Sequence, residues 1–324
     1  MKRAFAALLA VMTLLSGCGK KAEEPAGLYY EASGIAPEAV LLTVDGREVP
    51  AARYFYWLTA DCDYLAEQAG GEPDWSADAG GQTLDDYVKR QALEATVFYD
   101  TVEALAQAQG CVLTAENLAA MDSDWAAQAA EYGGEDAYLD ILTQMGLDRA
   151  GAQLLTADYY LYEQLRALSL AGENELSPAD GVVSNFAASA GVYSADVLVF
   201  PNADLAAAAL SDLEQDPDKD PATLKDGVYT TVTAAVGDGT LPSAAEQALK
   251  GLEQGRWSNP VETEGGVYLL RLLPTDMEAA AGLWFDSHIQ SLASGTQVVP
   301  AKEYEDFTAA SFYKNLSAAR TAKG

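Results

Sequence analysis

Gly255-Arg256-Trp257-Ser258-Asn259-Pro260-Val261-Glu262-Thr263-Glu264-Gly265-Gly266-Val267-Tyr268-Leu269-Leu270 is the stretch on which the fold turns. Gly255 closes a helical pattern over 243–253. Pro260-Val261 reads as a strand, and Val267 opens a second apolar strand that runs on through Leu273. Upstream, 228–232 is rich in β-branched residues and 204–213 has the pattern of a short helix. Before that helix, Val197-Leu198-Val199-Phe200 forms a compact β run that Pro201-Asn202 ends. The order β-α-loop-β-α-β-β therefore predicts a small α+β unit over 191–274.

The flanks change period. Phe55, Leu58, Cys62 and Leu65 recur at helical spacing after a short strand at 40–44, the turn dipeptide Asp45-Gly46 and Val49-Pro50. Helical patterns follow over 84–108, from Thr114, over 135–145 and over 148–170. They resume after Pro274 with Leu283, Phe285, Ile289 and Leu292. A short β run at 297–299 comes next, and 317–324 reads as a polar, frayed tail. The fold class is thus α+β: mostly helical segments over 36–190 and 275–316 on either side of a small α+β unit.

Of 324 residues, 49 are Asp or Glu and 19 are Lys or Arg, for a net charge of −30. Such a surface repels a phosphate backbone, so nucleic acid is excluded as a partner. The one histidine, His288, removes metal sites built on several imidazoles and leaves a Ser-His-Asp arrangement a single base. No cofactor or metal motif stands out. Asp216, Asp218 and Asp220 alternate as in a calcium loop, but Pro221 and Gly227 stand where that loop needs Gly and Glu.

Lys2 and Arg3 precede an apolar run from Ala4 to Leu15. A helix of that length spans ~18 Å, short of the ~30 Å hydrocarbon core, so 1–17 reads as a secretion signal. Leu15-Ser16-Gly17-Cys18 resembles the lipobox of bacterial lipoproteins, which implies lipid attachment at Cys18 and an extracytoplasmic, membrane-anchored chain. Residues 18–35 read as a flexible tether. Outside the cytosol a Cys62–Cys111 disulfide is permitted; small apolar residues on helices are the other reading of these two.

Two stretches together resemble one family. Val44-Asp45-Gly46-Arg47-Glu48-Val49-Pro50, followed by Tyr54-Phe55, is similar to the opening of the PrsA/SurA-like secreted foldases. Ser194-Ala195-Asp196-Val197-Leu198-Val199 looks like the first strand of a parvulin-type (PpiC-like) prolyl isomerase domain, and the 255–270 block looks like its end. The resemblance implies a helical chaperone core with an inserted parvulin-like domain. It also implies unfolded or newly exported polypeptides as partners and peptidyl-prolyl isomerisation as the chemistry. The parvulin pattern has a histidine in its first and last strands; here those positions hold Asp196 and Tyr268. The apolar wall of the proline pocket falls at Leu241 and at Ala244 or Ala245.

Isomerisation crosses a barrier of ~18–20 kcal/mol without breaking a bond, so a catalyst must grip the ring and bind the twisted amide best. Leu241 would supply grip, and Asp196 would meet Tyr268 across adjacent strands; the pair would either serve a substrate or simply satisfy itself inside the sheet. Three functions follow: a foldase that holds unfolded chains with a weak or silent isomerase domain, a working prolyl isomerase, and a solute-binding lipoprotein. Aromatic clusters at Tyr54-Phe55-Tyr56-Trp57 and at Tyr159, Tyr160 and Tyr162 read as core or as the lining of a client crevice. Oligomeric state is open, with a homodimer among the options.

Overall fold

Asp45 and Gly46 both sit at positive φ, 46° and 81°. That is the geometry of a two-residue hairpin turn. It joins β1 (Val40–Val44) to β2 (Arg47–Pro50), with Val44 opposite Arg47. The computed structural model describes residues 27–172 and 174–323. Around the hairpin run α1 (Leu28–Ser33), α2 (Ala51–Ala69), α3 (Leu84–Gln109), α4 (Ala115–Glu131), α5 (Glu135–Gln144) and α6 (Arg149–Leu170). Then come α7 (Val182–Ala190), β3 (Tyr193–Phe200), α8 (Ala203–Gln215), a 3-10 turn at Pro221–Thr223, β4 (Val228–Ala234), α9 (Ser243–Lys250), β5 (Val261–Thr263) and β6 (Gly266–Leu273). The chain ends with α10 (Met277–Ser294), β7 (Val298–Pro300), a 3-10 turn at Lys302–Glu305 and α11 (Ala309–Lys323). The signal 1–17, the lipid-attachment residue Cys18 and the tether residues up to 26 lie outside the described residues.

The described chain forms two units. Among the described residues, the first takes in 27–96, 129–150 and 298–323. Its sheet has the order β2-β1-β7, so the C-terminal segment supplies a strand to the N-terminal hairpin. Its core is aromatic. Phe55 stacks on Phe312 at 5.0 Å and 7°, and Tyr29, Tyr54 and Phe307 close round them. Burying each such ring stabilises the fold by about 1.5–3 kcal/mol. Lys89 is held between the Tyr304 and Phe307 rings, 4.6 and 4.5 Å from their centroids. Its ammonium donates to the Tyr304 and Phe307 carbonyls at 3.0 and 2.8 Å.

Two expectations fail in this unit. Residues 28–33 are helix rather than tether, because Leu28, Tyr29 and Ala32 are buried and α11 packs over them. Gly146, at φ 75°, lets the Tyr29 ring come so close that an added Cβ would meet it at 2.3 Å. Nor do the described residues of the expected tail, 317–323, fray: they belong to α11. Within α11, Leu316 and Ala319 are buried, and Arg320 makes a forked pair with Asp63 at 2.7 and 2.8 Å.

The second unit takes in Val97–Gln128 and Gly151–Gln297. Its antiparallel sheet has the order β4-β3-β6-β5. Side chains alternate across it. Tyr193, Ala195, Val197 and Leu270 pack with Leu241, Ala245 and Leu249 of the α9 side. Leu198, Phe200, Val267 and Leu269 pack with Ala206, Ala209 and Leu213 of α8. A helical cluster of Val102, Ala106, Leu165, Leu176, Phe285 and Ile289 forms beside it. Asp276 caps α10 through the Glu278 and Ala279 N–H groups, and its own N–H donates to Ser194 Oγ, which pins the helix start to β3. No helix among the described residues is long and apolar enough to cross a membrane.

Cys62 and Cys111 stand as free thiols, one in each unit. Cys62 is fully buried on the core face of α2, where burial drives its pKa up, and Cys111 packs against the helical cluster of the second unit.

Candidate functional site

Asp196 interrupts β3, the most buried strand among the described residues. It lies between Ala195 and Val197, both of which face α9, so the pleat turns its carboxylate to the α8 side. The register sets Arg271 of β6 opposite it on one flank and Thr231 of β4 on the other. Arg271 Nε and Nη2 donate to Asp196 Oδ2 at 2.8 and 2.5 Å. Tyr229 Oη and Thr231 Oγ1 donate to Oδ1 at 2.7 and 3.0 Å. Asp196 is only 3% exposed, and four donors occupy its two oxygens. That is the full acceptor capacity of a carboxylate.

The partners are themselves held. The guanidinium of Arg271 lies over the Trp257 ring at 4.9 Å, a cation–π contact that also fixes its plane. The segment carrying Trp257 is strapped to β6: Gly255 N–H donates to the Leu272 carbonyl, Ser258 N–H to the Leu270 carbonyl, and Leu270 N–H to Ser258 Oγ. Tyr229 is pulled down by the Thr231 hydroxyl, but burial and the neighbouring carboxylate of Asp196 carry its pKa above the usual phenol range. A cleft of about 300 Å³ opens beside this network, lined by Leu213, Glu214, Pro217, Arg256, Trp257 and Arg271.

Tyr268 stands elsewhere. It pairs with Val199 and Val261 and packs on the α9 face. Asp196 and Tyr268 therefore point to opposite faces of the sheet, and the expected carboxylate–phenol bond between them is replaced by the Asp196–Arg271 pair. One face flips with every residue of register, and pairing with Arg271 fixes the parity. Leu241 is 6% exposed and fills the α9 cluster with Ala245, so it is core rather than the wall of an open pocket. The loop before α9 is also knit. Gly237 N–H donates to the buried Glu246 carboxylate at 2.9 Å, and Tyr193 Oη reaches the same oxygen at 3.4 Å. Burial and the Glu246 charge raise the Tyr193 pKa. Burial works to raise Asp238, yet the N–H groups of Thr240 and Ala235 outweigh it and hold its pKa below the usual carboxylate value.

The sequence reading passed over Arg271, Tyr229 and Thr231. Arg271 carried a signal. A cation within an otherwise apolar strand needs a buried counter-charge, and Asp196 is the one acid in the neighbouring strand. Elsewhere, Tyr162 packs on the helical cluster and Tyr159 is exposed, while His288 stacks on Trp284 at 4.9 Å. Among the acidic-loop residues, Asp220 caps the 3-10 turn at Pro221–Thr223. Among the described residues no cluster of His, Cys, Asp and Glu is arranged to hold a metal ion.

Residues 183–274 match the PPIC-type PPIASE domain family, over less than half of the chain. No curated protein matches. Among solved structures, the foldase protein PrsA of Lactococcus lactis is 15% identical, with 86% of this chain and 99% of that chain covered and a TM-score of 0.33. PrsA of Bacillus subtilis is 14% identical, with 76% and 91% covered and a TM-score of 0.30. A SurA-like chaperone of Campylobacter jejuni is 11% identical, with 82% and 99% covered and a TM-score of 0.24.

Proposed function

From a chain whose residues 183–274 match the PPIC-type PPIase domain, we propose an extracytoplasmic foldase that binds unfolded exported polypeptides and whose isomerase domain is catalytically silent. Cys18 carries the lipid that anchors it, and 191–274 is a parvulin-like insertion in a helical core made of 36–190 and 275–316. The observation that carries the silent-domain reading is the saturation of Asp196. At the place of the first-strand histidine stands a carboxylate whose four acceptor positions are taken by Arg271, Tyr229 and Thr231. A group in that state neither polarises a substrate amide nor exchanges a proton. With Leu241 buried, the ring of a substrate proline has no apolar wall there.

A working isomerase is the second reading, favoured by the domain match itself. A proline-peptide assay separates the two: a rate equal to the uncatalysed one supports the silent domain, and a rate above it supports the enzyme. Client binding is tested by light scattering of a denatured client. The mature chain suppresses aggregation under the proposal, and an unchanged signal at several-fold excess removes it.

A further inference from the structure

Sheet edges invite pairing, and proteins blunt them with short strands, proline or charge. Three of the four edge strands in the described residues are blunted in this way. β2 carries Arg47, Glu48 and Pro50; β7 is three residues long and ends in Pro300; β5 is three residues long and carries Glu262. β4 is not. It runs seven residues, Val-Tyr-Thr-Thr-Val-Thr-Ala, with no charge, no proline and no glycine, and only Ala234 at its end is buried. Val228 is 71% exposed. Its one strand partner is β3, and no backbone hydrogen bond described outside the sheet reaches 228–233. The 3-10 turn at Pro221–Thr223 and α10 pack near the strand, but the first backbone hydrogen bond beyond the sheet comes past its end, where Val236 N–H donates to the Ala190 carbonyl.

The charge around this edge selects an occupant. The loop leading into β4 holds Asp216, Asp218, Asp220 and Asp226, and one of its two lysines, Lys219, is already paired with Asp212. A second copy of a chain of charge −30 is repelled from such an edge. A segment with basic flanks is drawn to it. We propose that β4 takes an extended segment of an unfolded polypeptide as an added strand, uncharged and β-branched over β4 and lysine- or arginine-flanked beside the acidic loop. Main-chain bonds would supply the affinity and alternate side chains the selectivity. The source of that segment rests on the client-binding reading above; the open edge does not.

The test is hydrogen exchange on the full mature chain with the peptide KKVTVTVTKK and with the same peptide N-methylated at alternate residues, which removes the pairing donors. The proposal predicts slowed exchange at the amides of 228–233. It also predicts about tenfold weaker binding of the methylated peptide, weaker binding in salt, and loss of binding in the Val228→Lys, Thr230→Lys double variant. Three results overturn it: equal binding of both peptides, protection confined to other segments, or protection of 228–233 that appears with protein concentration alone, which would assign the edge to a second copy. Client aggregation followed in parallel separates the two readings. Suppression without protection of 228–233 removes the edge and leaves the foldase standing, whereas protection without suppression does the reverse.

Discussion

Asp196 and Arg271 stabilise the sheet only as a pair. Removing one leaves the other buried without its counter-charge, so Asp196→Ala is expected to cost about 3–5 kcal/mol in urea unfolding. Arg271→Ala costs at least as much, because the carboxylate it strands is 3% exposed whereas the Arg271 left by Asp196→Ala is partly exposed at the cleft, and a double apolar replacement costs less than the two single changes added. Asp196→His, which sets at this position the histidine that the proposed parvulin equivalence would call for, is expected to lower stability and to bring no isomerase activity, since Tyr268 faces away; activity appearing in that variant would refute the opposite-face geometry. Asp61 gives a pH prediction. Burial raises its pKa from 3.8 to about 6. The folded state therefore holds the proton more tightly, and the stability it contributes is full below 3.8 and lost as pH rises through about 6. Asp61→Asn keeps the neutral form at every pH, so its urea midpoint should match that of the parent in acid and exceed it at neutral pH.

At the scale of elements, the C-terminal segment is the part of the first unit most exposed to test. Lys89→Met keeps the stem but abandons two carbonyls and two aromatic faces, and about 2 kcal/mol is expected to go with them. The early readout is faster hydrogen exchange across 298–308; unchanged exchange there would show that the lysine holds nothing. Elements were unevenly legible in the sequence. Asp45-Gly46 announced its hairpin, and the β runs at 197–200 and 267–273 announced the inserted sheet. α1 was hidden because six residues between glycines carry less than two turns of periodicity. α11 was hidden because Ala, Ser and Lys dilute a stripe of Phe312, Leu316 and Ala319 that only shows its purpose once Phe55 is seen beneath it. Of the candidate site, Asp196 was legible as a position, and Arg271, Tyr229 and Thr231 were not. Their arrangement was not legible either, because which face a strand residue takes depends on a register that one sequence does not state.

For the molecule as a whole, the sequence put a helical body and an inserted α+β unit in order, and the PPIC-type match over 183–274 bears out that unit. The same insertion that carries the resemblance departs from it where chemistry would occur: a saturated carboxylate on one face, a filled apolar cluster on the other. These departures support the proposal that this protein holds chains rather than turning their prolines. Refolding of a denatured client whose slow phase is limited by proline isomerisation reads both parts at once. The account predicts a refolded yield that rises with added protein while the slow-phase rate constant stays at its uncatalysed value. A slow phase accelerated by substoichiometric protein, or a yield that does not change, would contradict it.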